Sequence, residues 1–307
     1  MAVSRILRRP ASHHIRESRV DFIFTIFNNI FLFLIFLTVL YPLVYVFSAS
    51  FSDPNAVSAG QVWLWPVKFT LKAYIRIFEF SRIWSGYANS IFYATVGTFV
   101  NVAMTVLAAY PLSRKDLYGK NLLLFLFVFS MMFSGGLIPF YITVSQLGMY
   151  NTRWALIIPQ ALSVWNMIIA ITYFRSSLPQ ELLEAAQLDG CSDIQYLFQI
   201  VLPLSKPIIA VLGLFYAVGH WNQFFTALIF LANKDLFPLQ LILRDILVAN
   251  TIDPGLLEDA KTMAAKAGLR DLLKFALIVV ASGPVLMIYP FVQKYFVKGL
   301  MIGAIKG

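Results

Sequence analysis

Charged residues and cysteine are scarce in this sequence. Only 13% of its 307 residues are charged, whereas a soluble globular protein carries about a quarter. Its single cysteine, Cys191, excludes a framework of disulfides within the chain. Because 59% of the residues are hydrophobic, the balance indicates a protein whose main solvent is lipid.

Motifs of catalysis are also missing. The sequence contains no Gly-x4-Gly-Lys-Ser/Thr loop to cradle phosphates, and Gly119-Lys120 is followed by Asn121 instead of a hydroxyl residue. It contains no Cys pair or His-x-x-Glu-His pattern for a metal, and no Gly-x-Ser-x-Gly elbow for a nucleophile. The sequence therefore predicts no catalytic residue, no metal site and no cofactor bound by this chain.

The sequence does contain six long apolar blocks. Each exceeds the roughly 20 residues that a helix needs to cross a hydrocarbon core of about 30 Å. Because lipid offers backbone groups no hydrogen-bond partner, each block predicts a transmembrane helix. The first is too long to be the apolar region of a cleavable signal peptide. We expect an all-α polytopic membrane protein with six transmembrane helices, at 22–47, 91–112, 122–142, 154–174, 207–232 and 272–292.

Basic residues are concentrated beside one end of the predicted spans. Arginines fill the N-terminal segment, and the short loop after the second span holds Arg114, Lys115 and Lys120. Since short cytoplasmic loops are enriched in Lys and Arg, we expect both termini in the cytoplasm. The net charge of +9 suits anionic membrane lipid better than nucleic acid, because the cations lie beside spans.

The predicted spans divide the chain into five parts. The order is a cytoplasmic basic arm, a first transmembrane helix, an extracytoplasmic loop, a core of five transmembrane helices and a cytoplasmic tail. The core contains one long cytoplasmic loop and one long extracytoplasmic loop. The parts cover 1–21, 22–51, 52–85, 86–293 and 294–307, and the two core loops cover 175–206 and 233–271.

The cytoplasmic loop 175–206 has the pattern of two short helices joined by a hinge. Ser177 and Gln180 have capping-box spacing, and no helix breaker follows until Gly190, a residue suited to positive φ. Ser192 and Gln195 form a second capping box. Pro203 ends the apolar repeat of the second helix.

The charge of this loop separates two interpretations of its amphipathic helices. Such helices either rest on lipid headgroups or dock on a protein. Membrane-surface helices usually carry Lys and Arg on their polar face, whereas this loop carries four acidic residues against two basic ones. The acidic balance favours docking on a basic protein surface.

The residues of this loop also match a known motif. The run Glu184-Ala185-Ala186 is followed after three residues by Gly190, then after nine by Ile200 and, one residue on, by Leu202-Pro203. This spacing resembles the EAA loop of binding-protein-dependent ABC importer permeases. Residues 66–74, Trp221-Asn222 and residues 293–299 resemble the carbohydrate branch, of the kind represented by the smaller permease of the maltose importer. Residues 241–247 and 303–307 resemble a sub-branch that handles oligosaccharides from polysaccharides such as pectin and alginate.

The resemblance implies a type I permease whose EAA loop is a coupling helix seated in a cleft of a separate ATPase. In that arrangement Ala185 and Ala186 allow close approach, Glu184 and Asp189 offer carboxylates, and Gly190 makes the bend. The neighbouring motif residues Ile200, Leu202 and Pro203 complete the docking loop. ATP and magnesium are used by the ATPase, not by this chain.

The same resemblance implies the partners and the substrate. We expect two copies of a cytoplasmic ABC ATPase, a second homologous permease and an extracytoplasmic solute-binding protein, assembled in a bacterial inner membrane. The expected substrate is an acidic oligosaccharide, such as a fragment of alginate or pectin. A neutral oligosaccharide is the alternative.

Several polar residues fall at membrane depth. His220, Asn222 and Gln223 lie beside Trp221 midway along the fifth predicted span, and Asn166 lies in the fourth. Because polar groups are costly in lipid, they are candidates to line a translocation path, in which aromatic faces contact sugar rings. Alternatively, these side chains hydrogen-bond neighbouring helices, an interaction worth on average about 0.6 kcal/mol.

The outer loop 233–271 predicts two helical stretches, at 239–248 and 256–267, with charges of both signs. Such a surface suits a soluble binding protein, and a solvated loop is the alternative.

Two other functional classes fit the sequence less well. A secondary transporter needs titratable or ion-coordinating groups inside its spans, and only Lys274 at a span edge and His220 come near. An intramembrane enzyme needs a nucleophile, metal or carboxylate constellation, and none is present. Co-purification with an ATPase distinguishes the importer subunit from both.

Overall fold

The computed structural model describes residues 18–252, 272–287 and 290, and within these ranges every regular element is helical. The all-α prediction is confirmed. The predicted arm falls almost wholly outside the described residues, as do the tail 294–307 and the predicted helix 256–267. The α-helices are α1 (Arg19–Ser50), α2 (Pro54–Ser58), α3 (Lys72–Glu79), α4 (Ser81–Phe92), α5 (Thr98–Ser113), α6 (Lys120–Met132), α7 (Leu137–Gln146), α8 (Val164–Ser177), α9 (Gln180–Leu188), α10 (Asp193–Tyr196), α11 (Leu202–Leu204), α12 (Lys206–Asn222), α13 (Phe225–Phe230), α14 (Leu239–Ile252) and α15 (Leu272–Met287).

Two continuous helical runs in the described residues are long and apolar enough to cross a membrane. They are α1 and the run Ser81–Ser113, which joins α4 and α5 through a π-helical segment. Three further helix pairs reach the same length and hydropathy only together, because each is sharply bent: α6 with α7 at 114°, Arg153–Gln160 with α8 at 49°, and Asp193–Leu204 with α12 at 81°. The described residues thus contain two spans, or up to five if each bent pair is one span, and α15 is a shorter apolar helix. The number six stays a prediction.

The structure interrupts three of the predicted spans, and the Gly135-Gly136 pair and Pro159 predict irregular turns in two of them. The block 122–142 turns at Gly136, whose φ of 83° is a left-handed conformation that favours glycine. The block 154–174 begins as two 3-10 turns, and α8 starts only after Ser163, whose side chain accepts from the Asn166 amide. The block 207–232 is interrupted after α12, where Gln223 has an extended backbone. Irregular backbone at membrane depth is tolerated where it is buried in protein or lines a cavity.

Buried side chains form three clusters that hold the bundle together. Helix α5 packs closely along α8, and α12 packs against α5 and the π-helical segment. In contrast, α1 is buried only at its last three residues, Ser48–Ser50, and α6 has no buried residue. Both helices present large apolar side chains to the outside of the chain. Such surfaces are expected of helices that face lipid or a partner in a membrane.

Three polar side chains, each from a different part of the chain, fix the connection 231–238 between α13 and α14. The Asn89 amide donates to two of its carbonyl oxygens, at 2.7 and 3.1 Å, and the Tyr93 hydroxyl donates to a third at 2.8 Å. The Asn151 side-chain oxygen accepts from two of its amides, at 3.0 and 2.7 Å. The connection leads into α14, which contains the predicted helix 239–248 and extends four residues further.

Candidate functional site

The EAA-like loop has the predicted helix–glycine–helix form. Helix α9 ends at Leu188, and Gly190 takes a φ of 75° that reverses the chain. Ser192 and Gln195 then form the predicted capping box, in which each side chain bonds the other residue's backbone. The first predicted capping box is wrong, because Ser177 ends α8 and Pro179 occupies the N-cap of α9 without a side-chain bond.

One face of this loop packs on the bundle and another is exposed. Tyr196, Leu197 and Val201 are buried against α5, α8 and α12. Leu182, Leu183, Ala186, Ile200 and Leu202 are partly buried in the same cluster. The exposed side carries Glu184, Ala185, Asp189, Gly190 and Pro203, together with Leu188, Ile194 and Phe198.

The exposed apolar side chains are the loop's most unusual feature. Leu188 is 90% exposed, Ile194 is 71% exposed and Phe198 is 60% exposed. Contiguous apolar patches rimmed by polar groups mark interaction sites. Glu184 and Asp189 are exposed in the same loop, so the loop suits a partner that offers both an apolar cleft and basic groups.

A single arginine ties this loop to the loop after α5. Arg114 donates to the carboxylates of Asp193, in the second helix of the loop (Asp193–Leu204, called the second coupling helix), and of Asp116 in its own loop, and to the Tyr110 hydroxyl. Its side chain is only 13% exposed, although both carboxylates face solvent. The hydrogen bond from Arg114 lowers the pKa of the Asp116 carboxyl. The loop is therefore joined electrostatically as well as by packing to the end of α5.

We expect Arg114→Gln to loosen the coupling loop. Because both carboxylates are solvent-screened, the ion pairs are worth about 1 kcal/mol, which corresponds to about fivefold faster amide hydrogen exchange over residues 193–205. Arg76→Gln is the matched control, since its pair with Glu79 lies in the exposed segment before α4. Equal exchange rates in wild type and Arg114→Gln would contradict the assignment.

The same contact predicts an acid dependence. A carboxyl whose pKa is lowered in the folded state contributes stability above its ordinary pKa of about 4. That contribution is lost as the pH falls through the lower folded-state value. We therefore expect the protection factors of the loop 114–120, which contains Asp116, to fall below about pH 4 in wild type, and to fall less in Arg114→Gln.

A cavity of about 450 Å³ opens beside the break that ends α12. It is bounded by α5, the irregular segment before α8, the start of α8 and the last turns of α12. Among the described residues, its lining has amides, hydroxyls, an imidazole and two aromatic rings but no carboxylate, lysine or arginine: Asn101, Pro159, Gln160, Leu162, Ser163, Asn166, Phe215, Tyr216, Gly219, His220 and Gln223.

Hydrogen bonds fix part of this lining and leave other atoms unpaired. The Tyr216 hydroxyl bonds Thr105 Oγ1 at 2.7 Å and accepts from the Ser163 amide at 3.1 Å. The Asn101 amide donates to the Gln160 carbonyl oxygen at 3.1 Å. Among the described residues, Asn101 Oδ1, His220 Nε2 and Gln223 Nε2 have no partner. Because unpaired buried polar atoms are costly, these atoms are suited to bonding a hydroxyl-rich ligand.

The structure divides the five predicted path residues. Asn166, His220 and Gln223 come together in the cavity. Trp221 does not line the cavity. Its indole N–H donates to the Ala281 carbonyl oxygen at 3.0 Å, and its ring packs in one of the three buried clusters. Asn222 is exposed and also lies outside the lining. Trp221 therefore follows the alternative interpretation, in which the side chain hydrogen-bonds a neighbouring helix.

Sequence reasoning missed how closely α4–α5 approaches the cavity. Gly97 ends a π-helical segment, Tyr93–Gly97, and a Cβ atom there would lie 2.4 Å from His220 Nε2. Such π-segments are frequent at functional sites. A glycine within a long apolar block was the available signal, since an otherwise costly glycine often marks close packing.

The chain is similar to known sugar permeases. It is 39% identical to Protein LplC of Bacillus subtilis over 295 residues, which are 96% of this chain and 99% of that protein. It is 41% identical over 278 residues to the polygalacturonan/rhamnogalacturonan transport system permease protein YtcP of the same bacterium, covering 90% of this chain and 96% of that protein. No protein-family model matches the chain.

A solved structure has the same fold. It is the crystal structure of a bacterial ABC transporter involved in the import of the acidic polysaccharide alginate. One of its chains superposes with a TM-score of 0.82 at 35% identity, covering 91% of this chain and 99% of that chain.

Proposed function

The chain belongs to the permease subunits of carbohydrate ABC importers, and from that premise we propose that it forms part of a translocation path for oligosaccharides released from an acidic polysaccharide. The observation that carries the proposal is the continuity between an exposed docking loop and the cavity. The second coupling helix ends at Leu204, and α12 begins two residues later and runs to the cavity.

Motion at the loop reaches the cavity through α12. His220 lies fourteen residues after Lys206, about 21 Å along a helix that rises about 1.5 Å per residue. A displacement of the packed coupling loop therefore moves the start of α12, and the helix carries that motion to Tyr216 and His220. Because the helix is interrupted immediately after α12, the end of α12 can shift without moving α13 as part of the same rigid body.

The chemistry of ATP hydrolysis belongs to another subunit. We propose two copies of a cytoplasmic ATPase, one seated on the exposed face of Leu188, Ile194 and Phe198 with Glu184 and Asp189 toward its basic groups. A second, homologous permease completes the path, and an extracytoplasmic solute-binding protein delivers the sugar. We propose that both termini of the chain lie on the cytoplasmic side of a bacterial inner membrane, as the basic residues beside the spans predict.

The nature of the cavity supports a sugar. Amides, hydroxyls and an imidazole can bond sugar hydroxyls in either direction, and Phe215 and Tyr216 add aromatic surface. The acidic class is supported by what the similar proteins transport. The uncharged lining favours a second candidate, a neutral oligosaccharide, because no cation there offsets a uronate carboxylate.

Co-purification tests the assignment to an importer. Tagged chain, expressed with the other importer subunits, is expected to bring the ATPase with it. Leu188→Glu is expected to lower ATPase recovery at least about tenfold, because losing a central apolar interface contact costs about 2 kcal/mol or more. Tyr118→Glu is the control, since Tyr118 is 99% exposed in the neighbouring cytoplasmic loop. Full recovery with Leu188→Glu would contradict the proposed docking face.

A further inference from the structure

The segment between α1 and α4 carries exposed aromatic and basic side chains that the transport mechanism does not use. Trp63 is 70% exposed, Trp65 is 80% exposed and Phe69 is 67% exposed. Lys68 and Lys72 are exposed beside them. We call these five residues the anchor surface. It lies in the stretch 66–74 and just before it, part of which resembles the carbohydrate branch of the family.

The anchor surface is held at the level where two spans end. The Ser48 hydroxyl, in the last turn of α1, donates to the Leu64 carbonyl oxygen at 2.6 Å, which fixes the backbone between the two tryptophans. Helix α4, the start of the other long span, begins at Ser81. This is the end of Ser81–Ser113 opposite the coupling loop, since Arg114 lies at the other end. The segment is therefore confined to one boundary of the hydrocarbon core.

Its backbone is rigid, so the exposure of these side chains is built in. Val67 donates to the Ser52 hydroxyl at 3.0 Å, and its carbonyl oxygen accepts from the Asp53 amide at 2.9 Å. The Thr70 amide donates to the Phe51 carbonyl oxygen at 2.8 Å. Between these fixed points Lys68 takes a φ of 51°, which is uncommon for a residue other than glycine.

An apolar surface continues without interruption from α1 onto the segment. The ring of Phe47, 55% exposed on α1, lies 5.0 Å from that of Phe51, which stacks on Phe69 at 5.5 Å. The most apolar window of α1 has none of its residues buried inside this chain, so in a membrane that surface is covered by lipid or a partner helix. The aromatic side chains of the segment continue the surface of α1, so they lie at the edge of the same lipid or partner helix.

The polar groups on this surface match lipid headgroups. Among the described residues, the indole N–H groups of Trp63 and Trp65 have no hydrogen-bond partner, and Lys68 and Lys72 form no ion pair. The loop 52–85 holds four cations against two carboxylates. Trp side chains are enriched where an apolar ring meets the interface and its N–H stays polar, and Lys is attracted to anionic headgroups.

We propose that the anchor surface binds the extracytoplasmic leaflet of the membrane, with both indoles at the headgroup boundary and both lysines on anionic phospholipid headgroups. It thereby fixes the outer ends of α1 and α4 relative to the bilayer. A protein partner on this surface, either the binding protein or a second permease, is the competing outcome.

Depth-dependent quenching tests the proposal. The complete importer is reconstituted in nanodiscs whose lipids carry bromine either near the acyl carbonyls or near the chain ends. The difference in fluorescence between wild type and the double variant Trp63→Phe/Trp65→Phe is the emission of these two indoles. We expect that component to be quenched most by the shallow bromines. Trp221→Phe is the control, because Trp221 is 6% exposed and its component should respond to neither lipid.

A second variant tests the charge. With bromine carried only by phosphatidylglycerol in a phosphatidylcholine bilayer, we expect Lys68→Gln to lower the relative affinity for the anionic lipid about fivefold. Lys234→Gln, in the outer connection away from this surface, should leave that affinity unchanged. Absence of quenching at both depths, stronger quenching by the deep bromines, or indoles shielded by added binding protein would overturn the proposal. None of these readouts depends on transport, so the proposed function stands or falls separately.

Discussion

Gly190→Pro is expected to abolish oligosaccharide uptake while the complex stays in the membrane and keeps hydrolysing ATP. Gly190 has a φ of 75°, and a proline ring fixes φ near −65°. The change also removes the bond from the Gly190 amide to the Gln187 carbonyl oxygen at 3.0 Å. A proline in an incompatible position costs about 3 kcal/mol or more, which corresponds to a loss of about a hundredfold. Uptake of labelled sugar and phosphate release are measured on the same proteoliposomes.

The control for this prediction occupies the same position. Gly190→Asn keeps a residue that tolerates the left-handed conformation, and a Cβ at Gly190 meets no atom within 4 Å. Uptake should therefore remain close to wild type. If Gly190→Pro transports as well as Gly190→Asn, the bend at Gly190 has no role in coupling. That result would contradict the proposed docking of this loop on the ATPase.

Gly97→Ala is expected to lower uptake about tenfold with little change in the amount of assembled complex. The new Cβ would lie 2.4 Å from Nε2 of His220 and 2.7 Å from its Cδ2. His220 is only 5% exposed, so the imidazole must move into the cavity or α5 and α12 must separate. Overpacking of this kind costs about 1–3 kcal/mol, and a cost of about 1.4 kcal/mol, within that range, is tenfold.

Gly219→Ala provides the matched comparison. Gly219 also lines the cavity, in the same helix as His220, yet a Cβ there meets nothing within 4 Å. Its uptake should remain near wild type, and thermal unfolding of both variants separates transport from stability. Equal uptake by Gly97→Ala and Gly219→Ala would show that the contact between α4–α5 and α12 does not control the cavity.

The coupling loop was predictable because its signals are local. Capping at Ser192, positive φ at Gly190 and amphipathic spacing from Ile194 to Val201 act within a few residues, so the sequence specifies them without knowledge of the fold. Even there, the capping box predicted at Ser177 is wrong. Its spacing to Gln180 fits a capping box, but α8 extends through Ser177 and competes for that residue.

The cavity was only partly predictable because it depends on which helices meet. Four consecutive residues of a helix with 3.6 residues per turn point in all directions, so His220, Trp221, Asn222 and Gln223 cannot share one wall. Tertiary packing assigns Trp221 to Ala281 and His220 to Gly97. Hydropathy identifies residues at membrane depth, but it carries no information about their helical neighbours. The break at Gln223 was hidden for the same reason, whereas the Gly135-Gly136 pair signalled the break at Gly136.

The described residues contain two π-helical segments, one beside the cavity and one before the turn into α12. Tyr93–Gly97 lies between the outer connection, held by Asn89 and Tyr93, and the cavity wall at His220. Leu197–Val201 lies between the second coupling helix and the 81° turn into α12. A π-segment widens one turn of a helix and is often found at functional sites. Both ends of the proposed path of motion therefore contain a locally irregular helix.

ATP hydrolysis by the complete purified importer in lipid, with its binding protein, tests the central claim most directly. The assay compares uronate oligosaccharides with neutral ones of similar length, each at saturating concentration. We expect the uronate oligosaccharides to stimulate ATP hydrolysis. Because this stimulation is transmitted through the coupling loop, it should be absent in Gly190→Pro. Stimulation by neutral sugars alone would keep the mechanism and replace the substrate class. An assembled ATPase indifferent to every oligosaccharide would contradict the claim that this chain forms a sugar path.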